Sequence, residues 1–286
     1  MPRPTKLADM PELPELQALA ERLTSALAGK VLASADVLQF SALKTVAPSP
    51  FDLAGKTVAR IGRRAKYLDF DLDDVHVLIH LSQGGRVDIE NPPKKTRPKG
   101  AVLRLTFEKA PSILVKEYGT ERKAACWVLD AGEPGPLEGL GPEPDSPEFA
   151  TLLRDGEDNR QLHTFLRDQR AVAGIGRGFS DDILHAAMLS PFAALSKLSG
   201  SERERLLQEV RAVLAAATER ERGRSGGLPA KMGDRFTIHN RHGEPCPRCG
   251  DAMHRVSFNA REITYCASCQ TDGRILADRR MSRLLR

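Results

Sequence analysis

Cys246, Cys249, Cys266 and Cys269 form the strongest chemical pattern in this sequence. They read Cys-Pro-Arg-Cys, then sixteen residues, then Cys-Ala-Ser-Cys. Each Cys-x-x-Cys puts two thiolates on one tight turn, and two such turns complete a tetrahedral sulfur shell that suits Zn²⁺. Two disulfides are the competing reading. The chain has one other cysteine, Cys126, and no signal-peptide pattern, so a reducing cytoplasm and one structural Zn²⁺ are the expectation.

The segment between the two pairs must position them. Met253 to Tyr265 alternates like strands around Asn259-Ala260-Arg261, which predicts a β-hairpin stapled by the metal. Its apolar content is too small for an independent core, so ligation would supply the folding free energy, about 10–16 kcal/mol in model fingers. Arg261 falls at the hairpin tip, and the tail adds Arg274, Arg279, Arg280, Arg283 and Arg286. This run of cations favours an anionic partner.

The 286 residues suffice for one large domain or two to three small ones. With 41% hydrophobic and 28% charged residues and a net charge of +5, the chain can bury a core and keeps a mild basic bias. Nucleic-acid binding is permitted by that bias and not proved by it. No apolar run approaches eighteen residues, which excludes a transmembrane helix from the expectation.

Taken in order, residues 1–9 read as a disordered extension or a mis-assigned start. Leu16, Leu19, Leu23 and Leu27 then lie on one helical stripe, with Pro14 in the first turn and Gly29 at the end, predicting a helix that begins right after Pro11-Glu12. From Val31 the pattern changes to short β-type runs: Val31–Gln39, Val58–Gly62, Tyr67–Leu72, Val75–Leu81, Arg86–Glu90, Ala101–Phe107 and Ser112–Lys116. Such spacing predicts a β-sandwich or barrel over residues 10–130. His76 and His80 read as structural, Cys126 as a buried thiol, and residues 92–99 as a solvated basic loop or a phosphate contact. Residues 131–147, rich in proline and glycine, are the linker.

Beyond the linker the pattern is helical, over Phe149–Arg154, Arg160–Asp168, Ser180–Ala187 and Glu202–Arg222, with Ser201 and Glu204 as a capping box for the last. Between the second and third lies Ala171-Val-Ala-Gly-Ile-Gly-Arg-Gly178. Glycines there let the backbone approach a phosphate at a helix N-terminus, although a plain interhelical turn gives the same string. Residues 148–234 form the helical domain, with Gly223–Asp234 a mobile loop. Residues 235–271 form the four-cysteine hairpin and 272–286 a basic tail. The whole is an α+β multidomain chain.

Five stretches agree in order and spacing: Met10-Pro-Glu-Leu-Pro-Glu15, Arg63-Arg-Ala-Lys-Tyr-Leu68, Leu140-Gly-Pro-Glu-Pro144, Gln169-Arg-Ala-Val-Ala-Gly-Ile-Gly176 and the four-cysteine hairpin with Arg261. Together they resemble the formamidopyrimidine-DNA glycosylase/endonuclease VIII family, over residues 10 to about 270. The resemblance implies an N-terminal β-sandwich with a leading helix, a helix-two-turn-helix domain and a zinc hairpin. It implies a monomer in the bacterial cytoplasm, associated with the nucleoid, acting on double-stranded DNA that carries an oxidised base or an abasic site.

The resemblance also assigns residues. Once the initiator Met10 is lost, the secondary amine of Pro11 attacks C1′ of the damaged nucleoside, and Glu12 manages protons at the sugar. Lys66, expected on a strand, holds a phosphate or assists protonation. Gly176 and Arg177 seat the backbone beside the lesion, and Arg261 reaches in from the hairpin. Several positions depart from the family pattern. Gln83 stands where a methionine fills the gap left by the flipped base. Arg122-Lys123-Ala124 stands where a phenylalanine follows two basic residues, Arg177 replaces an asparagine, and His163 replaces a phosphate-binding lysine. Two activities follow for comparison: a base-excision glycosylase with abasic-site lyase activity, and a module that keeps fold and zinc but binds damaged or abasic DNA without cutting. A zinc-hairpin transcription factor would leave Pro11, Glu12 and Lys66 without a role.

Overall fold

Glu12 starts the first helix, α1 (Leu13–Leu27). Its N–H donates to the Glu15 carboxylate at 2.8 Å, one half of a capping box, and Pro14 sits in the first turn. Leu16, Leu19, Leu23 and Leu27 are fully buried, as their stripe predicts. The computed structural model describes residues 10–118, 122–258 and 261–277. The expected disordered lead, the Asn259-Ala260 turn and four of the tail arginines lie outside the described residues.

Eight strands follow: β1 (Leu32–Val37), β2 (Val58–Arg64), β3 (Tyr67–Leu72), β4 (Val75–His80), β5 (Gly85–Glu90), β6 (Ala101–Phe107), β7 (Ser112–Glu117) and β8 (Ala125–Asp130). They form two antiparallel four-stranded sheets, ordered β1-β6-β7-β5 and β2-β3-β4-β8. One apolar cluster joins Leu19 and Leu23 of α1 with Phe70 and Val77 of one sheet and Leu103 and Val115 of the other. This is a β-sandwich with a leading helix. β8 is an addition to the seven expected strands; its Ala-Cys-Trp-Val-Leu run pairs with β4.

The chain divides into two compact units, Met1–Gly139 with Ala217–Gly233, and Leu140–Ala216 with Asp234–Arg286. The second unit holds α2 (Pro147–Asp155), α3 (Leu162–Phe165), α4 (Arg177–Ala186) and most of α5 (Gly200–Arg222), followed by the hairpin β9 (His254–Phe258) and β10 (Arg261–Tyr265) and the short α6 (Ala267–Gln270). Two expectations need correction. The helix expected over Arg160–Asp168 is a single turn, because Arg160 is drawn to the Asp158 and Asp168 carboxylates at 2.6 and 2.5 Å. The capping box of α5 is Ser199 with Glu202, which exchange bonds of 2.8 and 3.3 Å; Glu204 instead pairs with Arg154 at 2.9 Å. Among the described residues, no helix is long and apolar enough to cross a membrane.

Candidate functional site

The register of one sheet gathers most of the first unit's candidate residues. Tyr67 pairs with His80, and His80 with Ala125, across β3, β4 and β8. Whatever adjoins that row lies at one end of the sheet. Lys66 precedes Tyr67, and it sits on the β2–β3 turn with Ala65 (φ 51°) rather than on a strand as expected. Gln83 lies in the β4–β5 turn just past His80, and Arg122 leads into β8. Helix α1 arrives at the same end. Its Thr24 hydroxyl donates to the Ile61 carbonyl at 2.7 Å, and its Gln17 accepts from Arg63 at 3.2 Å. Moving toward the start of α1 therefore moves toward the Lys66 turn. Pro11 and Glu12 are buried there, Lys66 is half-buried, and Gln83 and Arg122 are exposed.

The charge on Lys66 has a visible consequence. His80 is held down to about 4, by burial first and by the Lys66 ammonium second. Its ring lies 4.9 Å from Tyr67, which in turn lies 5.7 Å from Trp127. His80 thus stays neutral in the fold while the unfolded chain protonates near 6.5. Between those values the unfolded state binds more protons, so stability rises with pH and is lost on acidification, by up to about 3 kcal/mol. Lys66→Gln is expected to raise the His80 pKa and narrow that window. Histidine NMR titration beside acid melts checks this, and an unmoved His80 contradicts it. His76 pairs with Asp69 at 2.8 Å, a structural contact. Burial pushes the Cys126 thiol up to about 11, which leaves it an inert core group.

In the second unit the glycine-rich turn is braced by one side chain. Gln169 accepts from the Gly174 N–H at 2.9 Å and donates to the Ile175 carbonyl at 2.8 Å. Gly174 has φ +90°, a left-handed backbone that a side chain would strain. Gly176 is then the N-cap of α4 and Arg177 its first residue, so the positive end of the helix dipole favours an anion there. Further along α4, Asp182 accepts from the backbone N–H groups of Thr237 and Ile238 at 2.7 and 2.8 Å. Asp181 holds His239 at 2.6 Å and the Thr264 N–H at 3.1 Å. His163 needs correction. It is 2% exposed, with Nδ1 on the Pro191 carbonyl and Nε2 on Thr164. It is a buried ring whose two nitrogens face protein partners, not the phosphate contact that its place in the family pattern implied.

The four cysteine sulfurs lie within 4.8 Å of one another. Cys246 and Cys269 are 3.9 Å apart, and Cys249 and Cys266 are 3.5 Å apart. A tetrahedral Zn²⁺ with bonds of about 2.3 Å needs sulfur separations of about 3.8 Å, so the donor set fits the metal. All four ligands come from the protein, which makes the zinc structural. The knuckle is tied to α4: His185 lies 3.2 Å from the Cys246 sulfur, and Arg248 donates to the His185 and Ala186 carbonyls at 2.9 and 3.1 Å. Arg261 opens β10, its backbone paired with Phe258.

Sequence models of known families match this chain in three parts. The formamidopyrimidine-DNA glycosylase N-terminal domain matches residues 10–119, the formamidopyrimidine-DNA glycosylase H2TH domain residues 140–226, and a zinc finger found in FPG and IleRS residues 243–271. A formamidopyrimidine-DNA glycosylase of Bacillus licheniformis is 31% identical over 276 residues, covering 91% of this chain and 99% of its own. The chain belongs to the formamidopyrimidine-DNA glycosylase family. An uncharacterized formamidopyrimidine-DNA glycosylase-like protein of Mycobacterium tuberculosis is 42% identical over 160 residues, 54% of this chain and 99% of its own. Lactococcus lactis Fpg, solved with DNA containing an abasic site, shares the fold at a TM-score of 0.79 and 23% identity, covering 91% of this chain and 99% of its own.

Within this formamidopyrimidine-DNA glycosylase fold, sequence reasoning missed two arginines, the buried Arg86 and the half-buried Arg22, that hold residues 221–229. Arg86, 1% exposed, donates to the carbonyls of Gln83 at 3.0 Å, Gly85 at 2.7 Å and Pro229 at 3.0 Å. Arg22 donates to the Glu221 and Gly226 carbonyls at 2.8 and 3.0 Å. Leu228 bridges to Val87, and a Cβ on Gly227 would come within 1.9 Å of the Val87 carbonyl. The loop expected to be mobile is therefore pinned along this stretch. Arg86 alternates with Asp88 and Glu90 along its strand, so no local signal marked it as buried. Arg86→Met removes the partner of three carbonyls, that of Gly85 in a buried bond, and is expected to cost about 2–4 kcal/mol. Hydrogen exchange at Leu228 should speed up in parallel; unchanged protection would remove Arg86 from this role.

Proposed function

We propose that this chain is a DNA base-excision glycosylase with abasic-site lyase activity, working from the end of the sandwich where α1 begins. The reading is supported by the pairing of Tyr67, His80 and Ala125 and by the α1–β2 contacts, which point the start of α1, with Pro11 and Glu12, toward the turn that carries Lys66. Two adjoining groups, an amine and a carboxylate, are the minimum for the chemistry. With its nitrogen freed as a chain terminus, Pro11 attacks C1′ of a nucleoside turned out of the stack. The C1′–N bond breaks and the base leaves with a proton; the C1′–O4′ bond then opens, its oxygen taking a proton, and an iminium links Pro11 to the sugar. Glu12 exchanges protons at the sugar oxygen and at C2′, so that elimination expels the 3′ phosphate and hydrolysis frees the amine.

The other residues hold the substrate. Lys66 pairs with a backbone phosphate, and Gln83 occupies the gap by hydrogen-bonding the orphaned base. Arg122, Gly176, Arg177 and Arg261 supply phosphate contacts, with the zinc presenting the hairpin. The damaged DNA duplex is the substrate; one solved protein of this fold is MutM in complex with DNA containing carbocyclic 8-oxo-G. Single-turnover release of an oxidised base from duplex DNA tests the reading. Glu12→Gln is expected to slow release by about 10²–10⁴-fold and to slow abasic-site cleavage less. If the duplex is bound but neither base nor strand is released, the chain is a binding module and the catalytic reading falls.

A further inference from the structure

Phe40 is 80% exposed, an aromatic ring left out of the core at the edge of an open depression of about 600 Å³. Arg97, Lys99 and Arg122 line the same depression with Gln39 and Ala101, and among the described residues none of the lining is acidic. Its walls are held by backbone and buried groups. Leu38 and Gln39 donate to the Val102 carbonyl at 2.9 and 3.1 Å, and Arg97 donates to the Leu38 carbonyl. On the far side, the buried Glu117 carboxylate accepts from the Lys123 and Ala124 N–H groups at 2.6 and 2.7 Å, fixing the segment that carries Arg122.

Three cations beside a presented aromatic face match one ligand chemistry. Phosphates neutralise the cations, and a base stacks on the ring. Paired bases inside a duplex have no free face to offer, whereas a nucleotide out of the stack does. The volume lies within the ~300–1,000 Å³ of small-ligand sites. We propose that this depression is a subsite for an unstacked nucleotide of the bound DNA, with Phe40 stacking on its base and Arg97, Lys99 and Arg122 holding its phosphates. The proposal rests on the DNA-binding part of the proposed function and is independent of Pro11 chemistry.

The test uses two duplexes of one sequence, one fully paired and one with a single bulged 2-aminopurine, measured by anisotropy and by 2-aminopurine emission. The wild-type chain is expected to prefer the bulged duplex and to quench the fluorophore. Phe40→Ala should reduce that preference about fivefold or more, the scale of one lost base–aromatic stack, and restore emission. Phe40→Tyr should retain both signals, which separates stacking from a folding defect. The double change Arg97→Ala with Lys99→Ala should lower the salt slope of binding to the bulged duplex by about two. Equal preference and emission in Phe40→Ala and wild type would overturn the subsite. A wild-type chain that binds the paired duplex but shows neither preference nor quenching would overturn the subsite alone. Failure to bind either duplex would overturn the DNA reading with it.

Discussion

Cys249→Ser is expected to release the metal and unfold the hairpin. One zinc per chain should fall to none, because three remaining sulfurs leave the tetrahedral shell incomplete. The hairpin's apolar groups are few, with Val256, Ile263 and Tyr265 in one small cluster and Ile238 and Met253 beside the cysteines in another. Such clusters cannot replace ligation worth about 10–16 kcal/mol in model fingers. The loss extends to α4, since Arg248 caps its last carbonyls and His185 contacts Cys246, and the same helix opens with Arg177. DNA affinity should therefore fall together with metal content. Metal analysis beside a binding titration checks this, and a metal-free protein of undiminished affinity would contradict it.

The second large effect concerns the nitrogen of Pro11. A chain beginning at Pro11, after removal of Met10, is expected to form a borohydride-stable adduct with abasic DNA. The same chain carrying residues 1–9 ahead of Met10 should form it at least about 10³-fold more slowly, the scale on which nucleophile removal acts. In that form the nitrogen belongs to an amide whose lone pair is delocalised. Pro11→Gly should slow the adduct without abolishing it, because a primary amine remains. Equal yields from the short and long forms would identify another amine as the nucleophile, with Lys66 the first suspect.

Local pattern made much of this molecule legible. The Leu16, Leu19, Leu23 and Leu27 stripe located α1, and alternation placed Tyr67–Leu72 and Ala101–Phe107 at the observed strand limits. The cysteine spacing located a sulfur cluster whose dimensions fit zinc. What failed depended on partners distant in sequence. β8 reads as a plain apolar run until β4 pairs with it. The α5 cap moved to Ser199 because Glu204 has an ion-pair partner fifty residues away in Arg154. His163 was misread because the Pro191 carbonyl that buries it comes from another segment. Arg86 and Arg22, which pin the stretch from Glu221 to Pro229, carry no local signature of their targets. Lys66 was recognised by its motif, yet its place on a turn follows from the β2–β3 register.

The measurement closest to the central claim is the location of the adduct itself. Abasic DNA is reduced with borohydride on the chain that begins at Pro11, digested with nuclease and protease, and the sugar remnant is mapped by peptide mass spectrometry. The account predicts the added mass on the N-terminal peptide, on the nitrogen of Pro11, with Glu12→Gln reducing its yield. A remnant on Lys66, or no remnant on any peptide despite tight DNA binding, would contradict it.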